Sequence, residues 1–277
     1  MFLASLALVA VTAWLLWNGV MFFTEEFPDV SVLKNRYPVM RYMGRNRPPG
    51  VVMLSSRPRE WAGLGEIARE AVGAVIVSED WAFYQHGGYD AGQIKEALKE
   101  DLRAGRFVRG ASTITQQVVK NVFLERDKNL WRKFKELILA VRLEGKVSKR
   151  RILETYLNVA EWGEGLYGIT RAARHYFDKQ PSDLTPKEGA FLAMLLPSPK
   201  KYSESFRAKR LSDFAQKTVE SILDKMEQAG YLTGQERIHA GTNRLSFETA
   251  VEPVSTAESS SGGNLTGTSP IGENLIR

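Results

Sequence analysis

The chain opens on a run of 23 residues, MFLASLALVAVTAWLLWNGVMFF, without a charged side chain. About 20 apolar residues suffice for a helix to cross the hydrocarbon layer, so residues 1–23 are expected to form a transmembrane anchor. A cleaved signal peptide is the rival reading, but it normally starts with Lys or Arg and ends at a small-residue cleavage site, and neither is evident. Residues 24–50 are mixed polar, with Pro28 and Pro38, and close on the turn signal Pro48-Pro49-Gly50, which reads as a juxtamembrane connector. From 51 to 245, helical periodicities alternate with short Gly or Pro breaks and strand-like alternation is rare, which predicts one all-α domain. Residues 246–277 are rich in Ser, Gly and Thr and too poor in large apolar side chains to bury a core, so they are expected to be a disordered tail.

Within the helical part, Ala68, Ala71, Val72, Val75 and Ile76 follow one stripe whose continuation reaches Glu79, Phe83 and His86. A carboxylate at the end of an apolar stripe is partly desolvated, which raises its pKa and suits it to general acid or base work near neutral pH. Glu79 at an exposed helix end, with Asp80 and His86 as ordinary surface, is the other reading. The stripe alone leaves both open.

In RGASTITQQVVKN, Thr113, Gln116, Gln117, Lys120 and Asn121 fall on one helical face and Ile114, Val118 and Val122 on another. A face of hydroxyl, amides and one ammonium suits sugar hydroxyls and phosphate oxygens. Thr113 and Gln116 also have capping-box spacing, which does not account for Gln117, Lys120 or Asn121. In WRKFKELILAVRLEGKVSK, Glu136 lies one turn after Arg132, with Ala140 and Leu143 on its face and Phe134, Leu137, Ile138 and Val141 on the opposite one. The helix is therefore expected to be buried nearly all round, with Arg132 pairing Glu136. KRRILETYLN and GLYGITRAARHYF read as helices packed against it, with Glu154, Tyr156 and Asn158 supporting the site.

The net charge of +6 is uneven: Arg103 to Arg151 holds fourteen Lys or Arg against four acids, a balance of +10. Either a solvated face or a phosphate-attracting cleft would account for it. The absence of cysteine excludes disulfides, thiolate metal sites and a thiol nucleophile.

Taken together the segments resemble the peptidoglycan glycosyltransferase family, the polymerising module of penicillin-binding proteins and of monofunctional biosynthetic transglycosylases. Five ordered motifs carry the resemblance: Glu79-Asp80-x-x-Phe83-Tyr84-x-His86-x-Gly88-x-Asp90, Gly110-Ala111-Ser112-Thr113-Ile114-Thr115-Gln116-Gln117 with Lys120-Asn121, Arg132-Lys133-x-x-Glu136, Lys149-x-x-Ile152-Leu153-Glu154-x-Tyr156-Leu157-Asn158, and Glu188-Gly189-Ala190-Phe191-Leu192-Ala193 with Pro197 and Pro199. Val118 stands where the family often has Leu, and Ala82 and Tyr89 replace commoner Arg and Ile or Val. None of these changes removes a reactive group.

The resemblance implies an all-α, lysozyme-like, two-lobed domain that polymerises lipid II into glycan strands, with inversion and release of polyprenyl diphosphate. It implies Glu79 and Glu136 as catalytic residues and Asp80, Phe83, His86, Ser112, Thr113, Gln117, Lys120, Asn121, Arg132 and Lys133 as substrate-binding ones. Only a short tail follows Leu245, so the monofunctional form is expected. Lipid II, the growing strand, cytoplasmic-membrane lipids and other cell-wall synthesis proteins are the implied partners, with no nucleic acid. Mg²⁺ or another divalent cation is the implied cofactor, without an organic one. The globular part is expected outside the cytoplasmic membrane, although Lys34, Arg36, Arg41, Arg45 and Arg47 after the span favour the opposite sidedness by charge counting. A lytic lysozyme-like enzyme and a non-catalytic scaffold that binds lipid II are the alternatives.

Overall fold

A computed structural model describes residues 2–44, 49–105, 110–125 and 129–249. The leading apolar run forms helix α1 (Phe2–Glu26), on which Val9, Val11, Trp14, Leu15, Leu16 and Trp17 are exposed. Among the described residues no helix is long and apolar enough to cross a membrane.

The segment read as a connector is part of the domain. Phe27, Val30, Leu33 and Met40 are buried in the core. Strand β1 (Tyr37–Arg41) pairs antiparallel with β2 (Gly50–Leu54), Val39 facing Val52. The Arg151 guanidinium fastens the segment: it donates to the carbonyls of Leu33 at 2.9 Å and Arg36 at 2.8 Å and lies over the rings of Tyr37 and Trp61. Val30 and Leu33 share only a short 3-10 turn, Val30–Lys34, and Pro28 and Pro38 interrupt the segment, so a reading by α-helical periodicity passes over it.

The remaining elements are α2 (Arg69–Glu79), α3 (Ala91–Ala104), α4 (Ile114–Phe123), α5 (Leu130–Lys146), α6 (Lys149–Val159), a hairpin of β3 (Glu161–Gly163) and β4 (Leu166–Tyr167), and α7 (Ile169–Phe177). They continue with α8 (Pro186–Leu195), the single turns α9 (Pro199–Tyr202) and α10 (Glu204–Arg207), α11 (Asp213–Gln228) and α12 (Gly234–Thr242). The helical class is as expected, with two small two-stranded sheets added.

Helix α2 is buried from Ala71 to Val77 and packs against α8 and α11. Its β-branched Val72, Val75, Ile76 and Val77 are poor helix formers, so burial rather than propensity holds it. Close approach depends on two glycines. A Cβ on Gly189 would stand 2.6 Å from Ala71 Cα, and one on Gly73 would stand 2.4 Å from Tyr231 Cδ1. Helix α4 packs against both α5 and α6 to form the second half of the core.

Three expectations are corrected here. Helix α2 ends at Glu79, where Asp80 leaves helical geometry (φ −159°, ψ 74°), and Phe83 belongs to a separate short 3-10 turn, so one helix does not carry Glu79, Phe83 and His86. Helix α5 buries Glu136, Leu139, Ala140 and Leu143, whereas Phe134 and Val141 are exposed and Leu130 is 90% exposed. An apolar face is buried only where a neighbouring element covers it, and α4 covers the other side. The chain also remains in the core beyond 245: the Phe247 ring lies 5.1 Å from that of Phe191 and 5.2 Å from that of Phe206. Of the tail expected to be disordered, 246–277, residues 250–277 lie outside the described residues.

Candidate active site

The site is assembled where the end of α2, the start of α4 and the middle of α6 meet. Gln117 Nε2 on α4 donates to Glu79 Oε2 at 2.7 Å. A carboxylate only accepts, so the other end of the amide, Oε1, faces away and receives the Tyr156 hydroxyl of α6 at 3.3 Å. Desolvation pushes the Glu79 carboxyl above the usual carboxylate range, against the opposing effects of Gln117, Lys120 and Tyr156. Of the two readings of Glu79, the desolvated one holds.

Asp80 is 1% exposed and accepts His86 Nε2 at 2.9 Å and the backbone N–H of Ile114 at 2.9 Å. Gly88 N–H donates to His86 Nδ1 at 3.2 Å, which leaves Nε2 to carry the proton toward Asp80. Thr113 caps α4: its N–H donates to Gln116 Oε1 at 2.9 Å, and its hydroxyl accepts from Gln116 N and donates to Gly88 O at 2.8 Å. Phe83 is wholly buried, with the Lys149 ammonium 4.3 Å from its ring centre. Lys149 also donates to Glu144 at 2.7 Å, and Glu144 receives the Thr115 hydroxyl at 2.5 Å. Asp80, Phe83 and Thr113 were expected to touch substrate. Their polar atoms are taken by protein groups or, for Phe83, the ring is enclosed, so they hold the first two motifs together instead.

A cleft of about 840 Å³ runs beside this cluster. Gln117, Lys120, Asn121, Arg132 and Tyr156 line it, opposite apolar Met40, Val51 and Leu196. Glu79 is partly exposed and is joined to the lining through Gln117, which Tyr156 bonds in turn. Glu136 is 1% exposed and takes Arg132 Nη1 at 2.8 Å and Lys133 Nζ at 2.5 Å, while Lys133 also donates to Ser112 Oγ at 3.0 Å. The Lys120 side chain is exposed within the cleft. Desolvation holds its ammonium below the ordinary lysine value, the neighbouring Lys133 and Arg132 adding to the effect and Glu136 and Glu79 opposing it. Of the expected site residues, the fold thus brings together Glu79, Gln117, Lys120, Asn121, Arg132, Lys133, Glu136 and Ser112.

No three carboxylate or imidazole groups converge as a metal cage among the described residues. Both oxygens of Glu136 are held by cations, so this residue does not suit a resident divalent ion. Glu154 and Asn158, read as supporting the site, instead clamp the preceding loop: Glu154 accepts Trp61 Nε1 at 2.8 Å, and the Asn158 amide bonds both N and O of Ala62. The apolar wall of Met40 and Val51 was missed: Met40 falls in the segment read as a connector, and Val51 is the first residue of the part read as helical but lies in strand β2.

Arranged this way, one partly desolvated carboxylate lies behind Gln117 at a cleft lined by the cations Lys120 and Arg132. Such a cleft can remove a proton at one place and stabilise concentrated negative charge at another.

Comparison with known proteins agrees with the motifs. The profile of the family described as Transglycosylase matches residues 49–227. The chain is 41% identical over 202 residues to the biosynthetic peptidoglycan transglycosylase of Alcanivorax borkumensis, covering 73% of this chain and 77% of that protein. It is 44% identical over 151 residues to the Nitrosomonas eutropha protein of the same name, covering 54% of this chain and 62% of that one. It is also 40% identical over 190 residues to penicillin-binding protein 1F of Bacillus subtilis, covering 69% of this chain but only 26% of that longer protein. With the family profile spanning more than half of its length and the motif residues assembled around one cleft, this chain belongs to the transglycosylase family.

Proposed function

We propose that the protein is a peptidoglycan glycosyltransferase that polymerises lipid II at the outer face of the cytoplasmic membrane. The observation that carries this reading is Glu79, desolvated and held by the cleft residue Gln117, beside a cleft lined by Lys120 and Arg132, with Lys133 paired to the same Glu136 as Arg132. In this reading the acceptor's 4-hydroxyl attacks the anomeric carbon of the donor strand while Glu79 takes its proton. The new glycosidic bond forms as the bond to the diphosphate breaks, the electron pair leaves with the diphosphate, and the configuration inverts. Cations in a partly dry cleft stabilise that departing charge more strongly than they would in water. Glu136 then acts by holding Arg132 and Lys133 in place. A divalent cation such as Mg²⁺ enters with the diphosphate oxygens, and no step is assigned to it.

The named relatives act in peptidoglycan assembly by their titles, which supports the substrate class. A lytic enzyme would have no diphosphate to neutralise, and the cations beside Glu136 would then be without a use. The helical fold around one cleft suits a lysozyme-like, two-lobed arrangement. Helix α1 would serve as the membrane anchor, which its exposed Val9, Val11, Leu15 and Leu16 favour, and would keep the cleft near membrane lipids and other cell-wall synthesis proteins. Incubating the purified protein with labelled lipid II and separating the products by electrophoresis tests the proposal. Long glycan strands are expected; shortened pre-formed strands would indicate the lytic reading, and binding without turnover would indicate a scaffold.

A further inference from the structure

A second cavity, of about 720 Å³, lies where α9 and α10 meet the start of α11. No step of the proposed reaction uses it. Its two rings are Tyr202 and Phe214, whose centroids are 5.2 Å apart with planes 33° from one another. Tyr202 is half-buried, but Phe214 is 54% exposed and so does little to fill the core. Four charged side chains stand around the rings, Lys201 and Arg210 against Glu204 and Asp213. The Lys201 ammonium lies 5.6 Å from the Tyr202 ring centre, and Glu204, Arg210 and Asp213 are paired with no other side chain among the described residues.

Balanced charges of both signs favour neither an anion nor a cation, unlike the cations that line the cleft. They suit an uncharged ligand rich in hydroxyls, because the carboxylates accept and the ammonium and guanidinium donate. The flat side of a pyranose, where its C–H groups point, matches the negative face of an aromatic ring. Rings flanked by such groups therefore fit a sugar. Position supplies the second argument. Pro199 lines the cleft and Tyr202 lines the second cavity, and both belong to α9. Residues three apart on a helix share a face and lie about 4.5 Å apart along its axis. A chain of sugars that leaves the cleft over Pro199 thus comes at once to Tyr202.

We propose that this cavity holds the glycan strand beyond the sugars in the cleft, with pyranose rings laid on Tyr202 and Phe214 and their hydroxyls donating to Glu204 and Asp213. The proposal deepens the function given above and rests on the glycan reading of the cleft. A strand held at two places leaves only when both release it, and release from one keeps it at high local concentration beside that site. The cavity thereby retains the product between successive additions of substrate.

The test places a single 4-fluorophenylalanine at position 214 of the full chain and follows its ¹⁹F resonance as chitohexaose, a chain of N-acetylated sugars without lipid or peptide, is added. Position 214 is exposed, so the fluorine disturbs no packing and reports on this cavity rather than on the cleft. A saturable shift is expected, with a Kd of about 1 mM. Tyr202→Leu keeps apolar bulk but loses the ring, and should weaken that binding about tenfold. An unmoved resonance overturns the proposal, and this readout needs no variant of uncertain stability. It also needs no turnover: a shift without lipid II polymerisation would keep the sugar site and remove the glycosyltransferase reading, whereas polymerisation without a shift would overturn the site alone. In the polymerisation assay, Phe214→Ala should give strands roughly half as long as the wild type when equal amounts of lipid II have been consumed. Strands of wild-type length would overturn the retention of product.

Discussion

Asp80 Oδ2 accepts the backbone N–H of Ile114 at 2.9 Å and so fastens the end of α2 to the beginning of α4. Glu79 is the residue before Asp80, and Gln117 lies one turn after Ile114. The 2.7 Å contact between Glu79 and Gln117 is therefore set by the pair beside it. Replacing Asp80 with Ala would leave Ile114 N and His86 Nε2 without their buried partner. A loss of about 3 kcal/mol in urea unfolding is expected, together with most of the activity, while Asp80→Asn should retain part of both. Full stability in an inactive Asp80→Ala protein would restore the direct substrate contact that the sequence suggested.

Gly88 is the second fastening. Its φ is +101°, and a Cβ there would stand 2.8 Å from the Ala140 carbonyl on α5. Its own carbonyl receives the Thr113 hydroxyl. Gly88→Ala should cost roughly 1–3 kcal/mol from backbone strain, with the contact against α5 added, and should displace the cap of α4. Thermal unfolding measures the first effect, and a fall in kcat beyond what the folded fraction explains measures the second.

The acid side of the pH profile follows from Glu79. Its pKa is raised by burial, and a base works only when ionised. Activity should therefore fall, as pH drops, from a point above the ordinary glutamate value of about 4.3. The same shift acts on stability with the opposite consequence. A carboxyl that holds its proton more tightly when folded reduces stability as pH rises from the unfolded value through the folded one. Glu79→Gln should thus be at least as stable as the wild type at neutral pH, and denaturation at pH 4 and pH 7.5 should show the difference only at the higher value.

The cation cluster makes separable contributions. Lys120→Ala should lower kcat/KM by about 2–4 kcal/mol of transition-state stabilisation if the ammonium faces the diphosphate. Glu136→Gln removes the charge that holds Arg132 and Lys133, so turnover should fall while Lys120 remains in place. Near wild-type polymerisation by both variants would reduce the cluster to a helix-stabilising ion pair.

Much of this site was legible in the sequence. The Thr113–Gln116 capping box and the i, i+4 pair of Arg132 and Glu136 are local interactions within one helix, and local spacing reveals them. The division of labour in the first motif was not. Whether Asp80 or Glu79 faces the cleft depends on where α2 stops, and that is settled by Ile114, 34 residues further along. The outward side of α5 was misassigned for a related reason. Both its faces are apolar, and only the position of α4 decides which is covered. The wall formed by Met40 and Val51 comes from a hairpin with too few residues per strand to show a period.

The central claim, that Glu79 removes the proton from the acceptor hydroxyl, is tested most directly by the rate of lipid II polymerisation in Glu79→Gln. The amide preserves size and can still accept from Gln117, but it cannot take the proton. A fall of roughly 10²–10⁴-fold is expected, in a protein with wild-type circular dichroism and undiminished lipid II binding. Polymerisation at a near wild-type rate by that folded variant would contradict the claim and place proton removal on another group.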